Sequence, residues 1–261
     1  MIRTLGCLLG AIVLGTTLTA AHAATDYTDT WWNPAEPGWG INLTQQNHFV
    51  FGTFYLYAPD GKATWFTAQM LRDGTADRFS GPLYRVQGTW FGAPVWQGNQ
   101  IAQSGTATFT ATSAYEGTLA YIVDGLQITR NVQRQTLVPV SIAGSYRGAV
   151  AGTRSGCESN GKFTDFVDLE VLHSPATGTL RISQYSASTG RLVCRMEGTA
   201  IQSGKLLLAD GASYSCPDTG WDKPARIYNI RPTTAGFEAQ WFSDGGNGCS
   251  ENGDMSGVFY R

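Results

Sequence analysis

Charge, histidine and helical periodicity are all scarce in this chain, and each shortage removes a class of explanation. Charged residues make up only 15% of it, against roughly 25% in an average soluble protein. With Arg3 set aside in an expected leader, 18 − 1 = 17 basic residues face 20 acidic ones, a net charge of −3. That balance offers no electrostatic footprint for nucleic acid or an acidic membrane surface, so neither is an expected partner. Past residue 23 no stretch approaches the roughly 18 continuous apolar residues of a membrane-spanning helix, and no membrane span is expected there. Amphipathic-helix spacing is missing throughout. The only histidines after residue 23 are His48 and His173, in different halves of the chain. His48 reads as a solvated turn residue. No H-E-x-x-H, G-x-S-x-G, P-loop or C-x-x-C pattern occurs. The run Asp244 to Asp254 is oxygen-rich, but its spacing does not fit a calcium-binding EF-hand loop. No metal, cofactor or catalytic set is therefore expected.

Cysteine is absent from residues 8–156, and its distribution carries the first positive signal. Cys7 lies inside a segment with a basic start (Met1-Ile2-Arg3), an apolar and small-residue run from Leu5 to Thr19, and an A-x-A site at Ala21-His22-Ala23. These are the parts of an export signal cleaved after Ala23, which predicts a secreted or periplasmic protein. The remaining cysteines, Cys157, Cys194, Cys216 and Cys249, suit an oxidising compartment.

What fills the rest is strand and turn chemistry. Phe49 to Tyr57 and Ala63 to Gln69 flank Pro59-Asp60-Gly61, and Gly117 to Val123 and Leu126 to Arg130 flank Asp124-Gly125. Asp-Gly suits hairpin turns with positive φ. The chain reads as all-β. Pro139 interrupts pairing, and the composition changes across it, with six of eight Trp before residue 100 and four cysteines after residue 150. The expected division is a leader at 1–23, a Trp-rich antiparallel β-domain at 24–138 and a disulfide-containing barrel-like domain at 139–261.

Eight candidate strands in the second half suggest an up-and-down barrel whose last strand returns beside its first, which removes exposed edges. That layout places Cys157 near Cys249. A bulge at Asp210-Gly211 would bring Cys194 into register with Cys216. Four cysteines allow three pairings. The layout favours 157–249 with 194–216, and 157–194 with 216–249 is the main rival.

The most specific stretch is Thr30-Trp-Trp-Asn-Pro-Ala-Glu-Pro-Gly-Trp-Gly-Ile-Asn-Leu43, followed by the Asp60-Gly61 hairpin and Thr64-Trp65-Phe66. Over about residues 28–135 it resembles a tryptophan-rich (W-x-N-P-x-E-x-G-W-G) segment of exported bacterial proteins of uncharacterised function. The resemblance implies a bacterial exported β-domain and carries no catalytic residue with it.

Read physically, Trp31, Trp32 and Trp39 form either a stacking platform for a sugar face, with Asn33 and Glu36 as hydrogen-bonding partners, or a plug closing one end of the sheet. Trp90 and Trp96, flanked by Gly88, Gly92, Pro94 and Gly98, are the stronger candidates for exposure. The Trp-Phe pairs at 65–66, 90–91 and 241–242 put an aromatic on each side of a strand. Three functions compete. The first is a non-enzymatic binding protein for a glycan or other small flat ligand. The second is an exported hydrolase of polysaccharide or cell-wall material, drawing an acid/base pair from Glu36, Asp60, Asp165, Asp168 or Glu170. The third is an eight-stranded outer-membrane barrel, suggested by the aromatic end Phe259-Tyr260.

Overall fold

The computed structural model describes residues 25–74 and 76–260, so the expected leader at 1–23 lies outside the described residues. Two separate stretches of chain each form an antiparallel sheet that closes on itself. The first comprises β1 (Asp29–Trp32), β2 (Gly40–Gln46), β3 (Phe49–Tyr57), β4 (Ala63–Arg72), β5 (Arg78–Gly88), β6 (Asn99–Ala111), β7 (Glu116–Val123) and β8 (Leu126–Arg134). Each strand pairs with the next, and β8 returns to β1 through Trp31↔Arg134 and Trp32↔Gln133. The half read from sequence only as an antiparallel β-domain is thus an eight-stranded up-and-down barrel.

Alternation explains its filling. Along β3, Val50, Gly52 and Phe54 are buried while Phe51, Tyr55 and Tyr57 face out. The interior is packed with Trp31, Ile41, Leu43, Phe54, Phe66, Met70, Phe79, Leu83 and Phe109, among others. Burying each large side chain contributes roughly 1.5–3 kcal/mol. The β7–β8 connection is the expected two-residue turn, with φ of 49° at Asp124 and 84° at Gly125. The Asp60-Gly61 connection is longer than expected and spans residues 58–62, with Gly61 donating to the Ala58 carbonyl.

The second sheet comprises β9 (Gly144–Ser155), β10 (Gly161–His173), β11 (Thr179–Ser186), β12 (Leu192–Thr199), β13 (Ile201–Ser203), β14 (Leu206–Cys216), β15 (Trp221–Pro232), β16 (Gly236–Gly246) and β17 (Cys249–Phe259). The last strand lies beside the first, from Ser250↔Ser155 to Phe259↔Tyr146, and β12 also pairs with β14, which completes the ring. The strands run longer than their sequence pattern suggests. In particular, the Asp244 to Asp254 run is a hairpin, with β16 and β17 meeting at Asn247-Gly248. Cys157 is bonded to Cys249, and Cys194 to Cys216. The first bond ties the β9 end to the start of β17, and the second spans β12 and β14.

One end of the first barrel rests on the β13–β14 turn of the second. Arg134, with its side chain fully buried, pairs with Asp29 at 3.0 Å and donates to the carbonyls of Asp26 and Ala114. Asp29 also accepts from the Lys205 backbone, and Lys205 Nζ reaches Asp26 at 2.7 Å. This junction fixes which end of the first barrel is free. The loops at 33–39, 58–62, 89–98 and 124–125, which follow β1, β3, β5 and β7, all lie at the opposite end.

Candidate functional site

That free end gathers most of the first barrel's aromatic residues outside its core. Trp31 is the exception. It is fully buried, its Nε1 donates to the Tyr27 carbonyl at 2.9 Å, and its ring meets Phe109 edge-on at 4.9 Å. Alternation forces this outcome: of two adjacent strand residues one must point inward, and the register of β1 against β2 sends Trp31 in and Trp32 out. The expectation that Trp31 stacks on a ligand is therefore corrected, because the ring has no exposed face.

Trp39 is half-buried and packs on the barrel core. Its Nε1 donates to Glu36 Oε2 at 3.2 Å, and Arg130 Nε donates to the same oxygen at 2.8 Å. Glu36 is thus committed to holding Trp39 over the barrel mouth. Asn33 makes the turn that starts this loop, its Oδ1 accepting from Ala35 N and its carbonyl from Glu36 N. Trp39 thus packs at the barrel mouth, while Asn33 and Glu36, expected as hydrogen-bonding partners for a ligand, are engaged within their own loop and with Arg130.

Trp32, half-buried, begins a different arrangement. The ladder aligns Gly40 with Tyr55 and Tyr55 with Trp65, and the β1–β2 register puts Trp32 opposite Gly40. Trp32, Tyr55 and Trp65 point outward, and Gly40 lies buried between them. A side chain at Gly40 would crowd the Trp31 carbonyl at 2.9 Å, so this position must stay bare between the rings. Beside this aromatic row runs a polar one, Thr30, Asn42, Thr53 and Thr67. Thr30 Oγ1 donates to Asn42 Oδ1 at 2.9 Å, and Asn42 Nδ2 donates to the Tyr55 hydroxyl at 3.4 Å. At strand spacings of about 4.8 Å, Trp32 and Tyr55 stand roughly 10 Å apart, and the row spans roughly 15 Å. A cleft of about 200 Å³ opens at its end between Gly38, Tyr55, Tyr57 and Trp65. Tyr55, Tyr57 and Trp65 did not stand out in the sequence as site residues, although the alternation of β3 already points both tyrosines outward.

Trp90 and Trp96 are 68% and 69% exposed, but they stand apart from this row, in the loop joining β5 and β6.

Glu36 and Asp60 belong to the first barrel and Asp165, Asp168 and Glu170 to the second, where Asp168 and Glu170 share the outer face of β10, each held by its own partner. The hydrogen bond from Lys62 holds Asp60 below the usual carboxylate range, and the one from Arg147 does the same for Asp168. Glu170 accepts from the Tyr185 hydroxyl at 3.1 Å. His48 is exposed in the β2–β3 turn. Among the described residues no group of three or more His, Cys, Asp or Glu side chains could hold a metal ion, and no helix is long and apolar enough to cross a membrane. A groove of about 440 Å³ lies between Thr25-Asp26 and the outer face of the second barrel, beside Lys205 and Arg231, whose charges are already paired with Asp26 and Glu238.

No protein-family model matches the chain, and no curated protein matches it either.

Proposed function

We propose that this is an exported, non-enzymatic binding protein that holds an extended glycan, or another flat ligand bearing hydroxyl groups, against the outer face of β1–β4. The observation that carries the reading is the row of outward rings Trp32, Tyr55 and Trp65, with Gly40 between them and the polar row Thr30–Asn42–Thr53–Thr67 beside it. Ring faces stack on the C–H face of a sugar while neighbouring hydroxyls and amides meet its O–H groups. Asn42 already donates to the Tyr55 oxygen, which leaves the phenol O–H free to donate to a ligand. Two disulfides, the A-x-A site and the resemblance to exported bacterial proteins support a periplasmic or secreted setting.

The carboxylates weigh against a hydrolase, because glycoside cleavage needs a facing pair with one acid pKa raised, and Asp60 and Asp168 are both lowered. The barrel interiors weigh against an outer-membrane barrel. Both are filled with apolar side chains, where a membrane barrel's interior is polar, and the polar row Thr30–Asn42–Thr53–Thr67 interrupts the outward aromatics of β1–β4.

The test is retention of the full chain on a panel of insoluble polysaccharides and cell-wall material, with Tyr55→Ala and Trp65→Ala beside the parent. Binding lost in both variants at unchanged melting temperature supports the platform. A parent protein retained by no member of the panel would sink it.

A further inference from the structure

We propose that the β5–β6 hairpin is a docking arm that seats its tip in the headgroup–acyl boundary of a lipid bilayer. Pairing between β4 and β5 stops at Thr67↔Tyr84, and pairing between β6 and β7 begins at Gly105↔Val123. Beyond those points Arg85 to Gly88 and Asn99 to Ala102 pair only with each other. The arm therefore extends past the paired part of the barrel wall, at the end away from the second barrel.

The tip is apolar and uncovered. Phe91 is 96% exposed, and Trp90, Val95 and Trp96 are each about two-thirds exposed. The loop nevertheless has a defined shape. Thr89 Oγ1 donates to the Gly98 carbonyl at 3.0 Å and accepts from Gln97 N at 2.8 Å, and Ala93 N donates to the Trp90 carbonyl at 2.9 Å. A Cβ at Gly92 would collide with the Trp90 indole, so the ring is folded across its own turn. Holding four large apolar groups in water in a fixed conformation is costly unless something covers them.

Chemistry and shape together select the cover. No charged residue occurs between Arg85 and Glu116, and Gln87, Thr89, Gln97, Asn99 and Gln100 form an uncharged polar collar behind the tip. Aromatic rings ahead of such a collar match a bilayer interface, where Trp rings sit at the headgroup level and no charge has to be buried with them. The arm is convex and exposed on both faces at residues 99–103, so it offers no concavity for a small ligand or a sugar chain. A fluid apolar layer accommodates a convex finger from every side. With a net charge of −2 on the whole chain, attraction to anionic lipid is not the driving force, so neutral lipid suffices. The arm lies on the membrane and does not span it.

The experiment is flotation of the full chain with pure phosphatidylcholine vesicles at low and high salt, beside Phe91→Asp and the double variant Trp90→Ala/Trp96→Ala, with melting temperatures for all three. The expected result is salt-insensitive flotation of the parent, reduced about 10- to 100-fold by Phe91→Asp at unchanged melting temperature. The proposal is overturned if the parent fails to float, floats only with anionic vesicles at low salt, or floats equally well as Phe91→Asp. A lowered melting temperature in both variants also overturns it, by making the rings structural. So does a parent that sediments as a dimer and becomes monomeric on Phe91→Asp, since the cover would then be a second copy. Vesicle binding is independent of polysaccharide retention, so either proposal can fail alone.

Discussion

Cys194 and Cys216 face each other across β12 and β14, one register step beyond the Arg195–Ser215 pair, with 4.1 Å between their Cα atoms. They stand opposite because β14 gains a residue at Asp210-Gly211, where Gly211 takes a φ of 71° and the register shifts. Cys157–Cys249 ties the other seam, between the first and last strands of the ring. The two bonds close sequence separations of 22 and 92 residues. In the chain-entropy model these constrain the unfolded chain by about 3 and about 4–5 kcal/mol. Urea denaturation of the Cys157→Ala/Cys249→Ala variant should show the larger loss of loop-closure stabilisation, because its bond closes the longer loop. Denaturation midpoints indistinguishable between oxidised and reduced protein would contradict both figures.

Tyr115 ties the barrels together in a way that can be tested at one atom. Its hydroxyl accepts from the Asn229 backbone N–H at 2.8 Å and lies 3.4 Å from the Leu207 carbonyl. Asn229 sits at a register shift in β15 with a φ of 50°, so its N–H is turned out of the ladder and depends on this partner. Tyr115→Phe keeps the ring and strands that N–H, at a cost of about 1–3 kcal/mol. Thermal and urea unfolding of the variant measure the loss. An unchanged stability would mean that water replaces the phenol at the junction.

The second barrel was legible from local signals, because turn residues and alternation place its strands, and strand order then places its cysteines. Closure of the first barrel was not. Its seam joins the four-residue β1 to β8, a hundred residues away, and β1 runs straight into the turn-making Asn33-Pro34. A strand that short carries no alternation of its own. The site was half legible for a related reason. The pair Trp31-Trp32 announces one ring in and one out, but only the register against Ile41 and Gly40 decides which. Trp39 lies in a loop, where no periodicity reports that Glu36 and Arg130 pull it back over the barrel mouth.

His173 should make stability depend on pH. It lies at the end of β10, where its Nδ1 accepts from the Ile142 backbone N–H at 3.3 Å, and burial pushes its pKa below the ordinary value. The folded state then binds a proton less readily than the unfolded chain. Its contribution is complete above the ordinary value of about 6.5 and is lost as pH falls through the folded value. Asp26 does not enter this window. Burial alone would raise its pKa, but the hydrogen bonds from Lys205 and Thr28 outweigh that and hold it below the usual carboxylate range. Melting temperature should therefore decline between neutral pH and about pH 5 in the parent. It should decline less in His173→Gln. Parallel curves for the two proteins would exclude the histidine as the source.

Trp31 and Trp65 offer the sharpest separation of packing from binding within one barrel. Trp31 fills the interior with no exposed surface, its ring covered by the Arg134 guanidinium at 4.9 Å and flanked by Tyr27 and Phe109. Replacing it with Ala leaves a cavity that this closed ring of strands cannot collapse around, at a cost of about 3–5 kcal/mol. It also removes the Nε1 bond to the Tyr27 carbonyl and the ring beneath Arg134, so the junction with Lys205 loosens as well. Trp65 is nearly half exposed on the outer face, opposite Tyr55, with its neighbour Phe66 supplying the buried ring at that level. Trp65→Ala should cost no more than about 1 kcal/mol, the scale of a cross-strand aromatic pair. Urea denaturation of both variants, run beside polysaccharide retention, separates the roles. Trp31→Ala should lose stability and, under conditions where it stays folded, still bind. Trp65→Ala should keep its stability and lose binding. If Trp65→Ala is instead the more destabilised of the two, the outer row is structural and the platform loses its central ring.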